Sequence, residues 1–165
     1  MDEFDNFINN TRYPYLRSNP IGHITGSCWI INKNLDSVLL THHKKLNIWI
    51  PTGGHAENEN DPALIALREG EEETGLQLKL LFKEVFYKDI HIIPKYKETP
   101  KHKHFDFTYF FYPIGTEEFS VSSESHALKW IELNEIENYT HEKNVINMRD
   151  KTINLIKSGN LTILK

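Results

Sequence analysis

Three glutamates between residues 69 and 73 are spaced so that their carboxylates share one side of a helix. At about 100° per residue, Glu69, Glu72 and Glu73 fall within an arc roughly 100° wide, whereas Glu71 points to the opposite side. Like charges three and four residues apart destabilise a helix, so the pattern predicts a cation at this face. A hard divalent ion such as Mg²⁺ or Mn²⁺ suits it, because such ions take oxygen ligands and bridge to substrate phosphates. The alternative is a solvated acidic helix face.

The helix that carries these acids has clear end signals. It begins at Asp61-Pro62, a capping residue followed by a first-turn proline, and it ends at Gly75, where a left-handed cap forms easily. A strand ending at Trp49-Ile50 leads into the diglycine loop Gly53-Gly54, which precedes the helix. The sequence therefore predicts a strand, a glycine loop and an acidic helix in succession.

A segment rich in lysine and histidine spans residues 88–104 of this acidic chain. Prolines at 94 and 100 interrupt it, and we interpret it as a cationic loop that either is solvated or holds substrate phosphates. In the strand that follows, polar and aromatic residues alternate, so His104, Asp106 and Thr108 share one side. His102 extends this row, which could contact substrate. The same spacing also suggests zinc. Against this interpretation, no cysteine or further histidine lies at a structural-zinc spacing.

The remaining elements follow from hydrophobic periodicity and turn residues. We expect a short helix within residues 2–19, a hairpin from residues 24–31 and 38–41, one or two strands within 76–87, a short strand at 128–131, a helix around 134–138, and a last helix at about 142–157.

Composition limits the classes of protein to consider. The 165 residues suit a single domain over residues 1–165. The net charge of −4 argues against binding of nucleic acid polymers. The only cysteine, Cys28, lies in an apolar run, so a buried reduced thiol is expected. No signal peptide or membrane span is evident, so we expect a cytoplasmic protein that does not bind membranes.

The segment Gly54–Leu76 resembles the signature of the Nudix hydrolases, the MutT-like family. That signature reads Gly, five residues, Glu, seven residues, Arg-Glu, an apolar residue, any residue, Glu-Glu, any residue, Gly and an apolar residue. The matching residues are Gly54, Arg68, Glu69, Glu72, Glu73, Gly75 and Leu76. The departures are Asn60 in place of the first glutamate, Gly70 at the apolar position between the acidic pairs, and Thr52 where a proline often precedes the diglycine.

The resemblance implies an α+β fold, the Nudix-type α/β/α sandwich with a central mixed β-sheet. It implies a pyrophosphohydrolase that cleaves a nucleoside diphosphate linked to another moiety with Mg²⁺ or Mn²⁺. The implied metal ligands are Glu69, Glu72, Glu73 and the Gly54 carbonyl, with Arg68 orienting the glutamates. Glu124 is a further ligand or base, or else a solvated loop acid; the choice of general base among Glu69, Glu72 and Glu124 stays open.

Alternatives to hydrolysis follow from the same pattern. A Nudix-fold sensor that binds a nucleotide without cleaving it is favoured by the departures at Asn60 and Gly70. Isomerase chemistry on an allylic diphosphate would need a cysteine or equivalent acid in the pocket, for which Cys28 is a poor choice. For the hydrolase and for the sensor, the expected partner is a small nucleotide-like molecule. A homodimer is one assembly open to such a domain. The residues expected to contact substrate phosphates are His91, His102, Lys103, His104 and Asp106.

Overall fold

The computed structural model describes residues 2–163. Its elements, in chain order, are α1 (Glu3–Asn10), β1 (Gly22–Ile30), β2 (Ser37–His43), β3 (Trp49–Ile50), β4 (Thr52–His55), α2 (Pro62–Thr74), β5 (Leu78–Leu80), β6 (Tyr87–Ile93), β7 (His102–Pro113), β8 (Ser125–Glu132), a 3₁₀ helix (Leu133–Asn138) and α3 (Lys143–Lys157). Within these residues, no helix is both long enough and apolar enough to cross a membrane.

Two β-sheets organise the chain. The larger sheet is mixed and has the order β4-β1-β7-β5, with β6 also paired to β7. Its central pair, β1 and β7, is parallel, and the register places His23 opposite His104. β4 runs antiparallel to β1 along the other edge. The smaller sheet is antiparallel with the order β3-β2-β8.

Helices cover the sheets through two apolar clusters. In one cluster, α1 and α2 pack on β1 and β7, with Phe4 and Phe7 against the aromatic face of β7. In the other, Val145 and Met148 of α3 pack with Trp29. The Trp29 indole N–H also donates to the Thr152 hydroxyl at 2.9 Å, which ties α3 to β1. The expected α+β fold with a central mixed sheet is confirmed.

The predicted hairpin is wrong in its strand pairing. β1 and β2 both exist, but β1 pairs with β4 and β7 whereas β2 lies in the smaller sheet. The two segments share only the isolated bridge between Ile31 and Val38, next to the turn. Alternating apolar residues predict strands correctly, but they do not identify partners, and both edges of β1 are taken by distant segments.

Three local expectations also need correction. Gly53 and Gly54 do not form a loop, because they lie within β4 and pair with β1. The cationic segment is a loop only over residues 94–101, because residues 88–93 belong to β6 and residues 102–104 to β7, which pair antiparallel. The predicted helix around 134–138 is a single 3₁₀ segment.

Candidate active site

α2 has the ends that its sequence predicts. The Asp61 carboxylate accepts a hydrogen bond from the Ala63 N–H at 2.9 Å, and Pro62 occupies the first turn. Gly75 caps the other end in the left-handed conformation, with φ of 70°. Because a residue with a Cβ rarely adopts this conformation, glycine fixes where the helix stops.

Small residues bring α2 very close to β1. A Cβ on Gly70 would lie 2.4 Å from the Cys28 sulfur, and a Cβ on Gly26 would lie 2.7 Å from the Pro62 carbonyl oxygen. The Cys28 thiol donates to the Ala66 carbonyl at 2.8 Å, and burial raises the pKa of this thiol well above its usual value. Gly70 therefore serves close helix-to-strand packing, and Cys28 is a buried, protonated thiol with a structural contact.

The three glutamates of the signature occupy different environments on the α2 face next to β4. Glu73 is buried, and its carboxylate accepts the Gly53 N–H at 3.0 Å. Burial raises the pKa of Glu73 to about 7. The Glu69 carboxylate lies against Gly54, where an added Cβ would be 2.5 Å from it, and burial raises its pKa as well. The Glu72 side chain is 65% exposed.

The acid on the opposite side of α2 has a different partner. The Glu71 carboxylate accepts the Leu78 N–H at 2.9 Å, at the start of β5. The predicted division of the helix, with three acids on one face and Glu71 away from them, is confirmed.

Arg68 connects the acidic face of α2 to the end of β4. Its guanidinium donates to Glu69 at 2.7 Å and to the carbonyl oxygens of His55 and Ala56 at 2.5 and 3.3 Å. Its Nε lies 4.0 Å from Glu72. The hydrogen bond to Glu69 is the main cause of the raised Arg68 pKa. Arg68 is thus placed to orient one glutamate while holding β4 against the helix.

Two loops bring further acids near this face. Glu124, exposed just before β8, lies close enough to raise the pKa values of Glu69 and Glu73 through its charge. In the loop before α2, the Glu59 carboxylate accepts the N–H groups of Asn60 and Asp61. The charge of Glu57 contributes to the raised pKa of Arg68. Asn60 is therefore preceded by two carboxylates, those of Glu57 and Glu59. The charge of Glu57 interacts with Arg68, the arginine of the signature.

The residues expected to contact substrate phosphates lie in three different places. Lys103 points to the other side of β7 from its histidine neighbours and pairs with Glu3. Asp106 is buried, and its carboxylate accepts hydrogen bonds from the hydroxyls of Thr25, Ser27 and Thr108 at 2.7 to 3.1 Å. The structure does not bring these five residues into one group.

His91, His102 and His104 lie on neighbouring strands instead. His91 is opposite His104 in the pairing of β6 with β7 and lies 3.6 Å from Asp89. His102 and His104 belong to a compact group with two histidines that the sequence reasoning missed, His23 and His55. We refer to His23, His55, His102 and His104 as the histidine cluster.

The histidine cluster lies on the face of the larger sheet that points away from α2. The ring centroids of His23 are 4.7 to 5.1 Å from those of the other three members. Burial lowers the pKa of His23 to about 4, that of His55 to about 3 and that of His104 to about 2. The rings of His23, His55 and His104 are therefore neutral near pH 7. The parallel pairing of β1 with β7 assembles the cluster, and no local spacing in the sequence indicates it.

The degree to which possible ligands converge differs between the two faces. Over residues 2–163, the one set of three or more histidine, cysteine or acidic side chains whose ligand atoms all lie within 4.8 Å of one another is His23, His102 and His104. The acids of α2 are adjacent but do not converge to that extent. Their oxygen-only chemistry nevertheless fits a hard divalent ion, and within residues 2–163 the buried carboxylate of Glu73 has no cationic hydrogen-bond partner.

The family follows from the whole sequence as well as from this face of α2. The family model for the NUDIX domain matches residues 23–151, and the chain belongs to the NUDIX family. It is an enzyme of the MutT-like kind, a hydrolase that acts on phosphorus-containing anhydrides.

Solved structures give the same fold. A NUDIX-family hydrolase from Clostridium perfringens is 27% identical with a TM-score of 0.64, covering 81% of this chain and 97% of its own. An Ap4A hydrolase from C. elegans is 16% identical with a TM-score of 0.63, covering 82% and 98%. The dihydroneopterin triphosphate pyrophosphohydrolase of E. coli is 16% identical with a TM-score of 0.60, covering 79% and 95%. No curated protein sequence matches the chain.

Proposed function

We propose that this hydrolase cleaves the diphosphate bond of a nucleoside diphosphate linked to another moiety, with Mg²⁺ or Mn²⁺ bound by Glu69, Glu72, Glu73 and the Gly54 carbonyl. The observation that carries the proposal is the contact between the acids of α2 and the glycines of β4. Glu73 accepts the Gly53 N–H, and the Glu69 carboxylate lies against Gly54. A side chain at Gly54 would fill the space that the Glu69 carboxylate occupies, and a side chain at Gly53 would clash with Ser27 of β1.

The metal would supply two things when bound: a water of lowered pKa and positive charge that neutralises the diphosphate. The chain supplies position. Arg68 holds Glu69 through its guanidinium while it binds two carbonyl oxygens at the end of β4. This fixes the carboxylate relative to the Gly54 carbonyl, and such supporting contacts commonly change metal affinity or activity by about 10- to 100-fold.

Proton transfer from the attacking water falls to a carboxylate that solvent can reach. Glu72 and Glu124 are the exposed acids of the site, whereas Glu73 is buried and Glu69 is held by Arg68. Glu72→Gln and Glu124→Gln distinguish these two candidates for the general base. The variant that lacks the base should have a lowered kcat and should lose the acidic limb of the pH–rate profile.

The activities of two structural neighbours, the Ap4A hydrolase and the dihydroneopterin triphosphate pyrophosphohydrolase, suggest a substrate panel. It should contain a dinucleoside tetraphosphate, dihydroneopterin triphosphate, a nucleotide sugar and a modified nucleoside triphosphate, each tested with Mg²⁺, with Mn²⁺ and with EDTA. We expect metal-dependent release of a phosphate-containing product from at least one compound. Glu72→Gln should abolish this turnover.

Glu71→Gln is the matched control, since it changes the same residue type in the same helix but on the face that binds β5. If the two variants retain equal activity, the proposed metal site is wrong. Tight nucleotide binding in EDTA with no turnover after addition of metal would support a sensor instead. Unchanged KM values in His104→Ala and Lys103→Ala would show that the predicted contacts of these residues with substrate phosphates are wrong.

A further inference from the structure

Two members of the histidine cluster already have the separation of metal ligands. The Nε2 atoms of His102 and His104 lie 3.2 Å apart. In a tetrahedral zinc site with Zn–N distances of about 2.0–2.1 Å, two ligand nitrogens are roughly 3.3–3.4 Å apart. The nitrogen of His23 lies within 4.8 Å of both. Small rotamer changes would therefore bring all three nitrogens to coordination distance.

The hydrogen bond on the far side of His102 sets its tautomer. His102 Nδ1 lies 2.8 Å from the Pro100 carbonyl oxygen, which can only accept, so Nδ1 carries the proton. In the neutral ring, Nε2 then presents a lone pair to the cluster. A metal-binding histidine usually donates its other N–H to a carbonyl or carboxylate in this way.

His23 lacks the partners that a buried imidazole needs. The residue is 1% exposed, and neither ring nitrogen has a hydrogen-bond partner among the described residues. A buried polar group left without a partner costs about 1–3 kcal/mol. A metal bond to one nitrogen would satisfy part of this deficit, and no feature of the hydrolytic site accounts for it.

We propose that His23, His102 and His104 form a binding site for a transition-metal ion of the Zn²⁺ type, separate from the carboxylates of α2. Imidazole nitrogens suit Zn²⁺ and similar borderline ions, whereas Mg²⁺ requires oxygen ligands. Three protein ligands leave a fourth position for water or for an oxygen of a bound molecule, as in catalytic zinc sites. His55 is the adjacent fourth imidazole.

Solvent reaches this site beside His102. That residue lines a surface cavity together with residues 17–20 and 98–100, which lie before β1 and before β7. An ion can therefore enter from the surface without opening the sheet. The inference does not depend on the proposed hydrolytic role of the glutamates, because it uses different residues and a different donor chemistry.

Calorimetry on the full chain tests the site directly. Zn²⁺ is titrated into chelator-treated protein in the presence of excess Mg²⁺, which competes for the carboxylates. We expect one Zn²⁺ per chain, with affinity reduced more than about 100-fold in His102→Ala and in His104→Ala, since even residues that only support metal ligands cost up to about that factor. Co²⁺ bound by the native protein should give visible absorption bands that these variants lose.

His91→Ala is the matched control, because His91 lies next to His104 on β6 but outside the three-histidine group. It should bind Zn²⁺ like the native protein. Three results would each overturn the proposal: no Zn²⁺ binding by the native protein, native-like affinity in His102→Ala and His104→Ala, or the same loss of affinity in His91→Ala. If His104→Ala does not fold in chelator, His102→Ala decides, because His102 is the first residue of β7 and lines the surface cavity.

Discussion

The buried carboxylate of Glu73 allows a quantitative test of the acidic face without any substrate. Among the described residues its one hydrogen-bond donor is the Gly53 N–H, and burial raises its pKa from the ordinary 4.5 to about 7. Glu73→Gln keeps an oxygen to accept that N–H but removes the charge. We therefore expect this variant to be more stable than the native protein at alkaline pH in the absence of metal.

The sign and the size follow from proton linkage. Between pH 4.5 and about 7 the folded state keeps a proton that the unfolded state has released, so native stability falls as pH rises. One pKa unit corresponds to about 1.4 kcal/mol, so the cost of ionising Glu73 reaches about 3 kcal/mol at pH 8 and stays below about 1 kcal/mol at pH 5. Glu73→Gln has no carboxyl group to ionise at this position, so its free energy of unfolding does not fall for this reason as pH rises.

Urea denaturation in EDTA at pH 5 and pH 8 measures the effect. The difference in unfolding free energy between Glu73→Gln and the native protein should shift by about 2–3 kcal/mol in favour of the variant. Taking the difference cancels the titration of the buried histidines, which both proteins share. A difference that does not vary with pH would refute the reasoning. In a second arm, Mg²⁺ at pH 8 should stabilise the native protein and leave the variant nearly unchanged.

Three further substitutions probe separate contacts. Gly70→Ala should lower the free energy of unfolding by about 1–3 kcal/mol through overpacking, and better helix propensity should offset up to about 1 kcal/mol of this. Adding Cys28→Ala should recover part of the lost stability in a urea double-mutant cycle. Asp106→Ala leaves three hydroxyl donors without their acceptor, so it should lower the free energy of unfolding in urea by about 2–4 kcal/mol. Asp106→Asn should lower it less. Arg68→Lys cannot hold Glu69 and both carbonyls together, so kcat with Mg²⁺ should fall about 10- to 100-fold in a steady-state assay; an unchanged kcat would exclude a positioning role.

The features that could be predicted from sequence are those set by local chemistry. The cap at Asp61, the left-handed residue Gly75 and the angular spacing of the glutamates all depend on neighbours within one helix. The meaning of Gly70 also follows, because a glycine inside a capped helix is best explained by close packing. Such inferences succeed because the relevant interactions span only a few residues.

The features that could not be predicted depend on which distant strands become neighbours. A run of β-forming residues predicts β1 and alternation predicts β7, but nothing in either segment shows that they pair in parallel with His23 opposite His104. The hairpin prediction is wrong for the same reason: the sequence does not show which strands pair. β1 and β2 are adjacent in sequence but lie in different sheets. A zinc interpretation based on spacing within β7 therefore lacked its third ligand, which lies 79 residues earlier than His102 along the chain.

Strand β4 explains how two different sites can lie one residue apart. Gly54 and His55 are consecutive, so they face opposite sides of the sheet: Glu69 lies against the glycine, while the His55 ring lies 5.1 Å from His23. One side offers carboxylate oxygens and the other imidazole nitrogens, and metal ions differ in which of these donors they prefer. Arg68 spans the boundary, because it binds Glu69 and the His55 carbonyl. Any shift of His55 on metal binding would therefore reach the acidic face through this arginine, and the coupling would be reciprocal, with each metal changing the affinity for the other by the same factor.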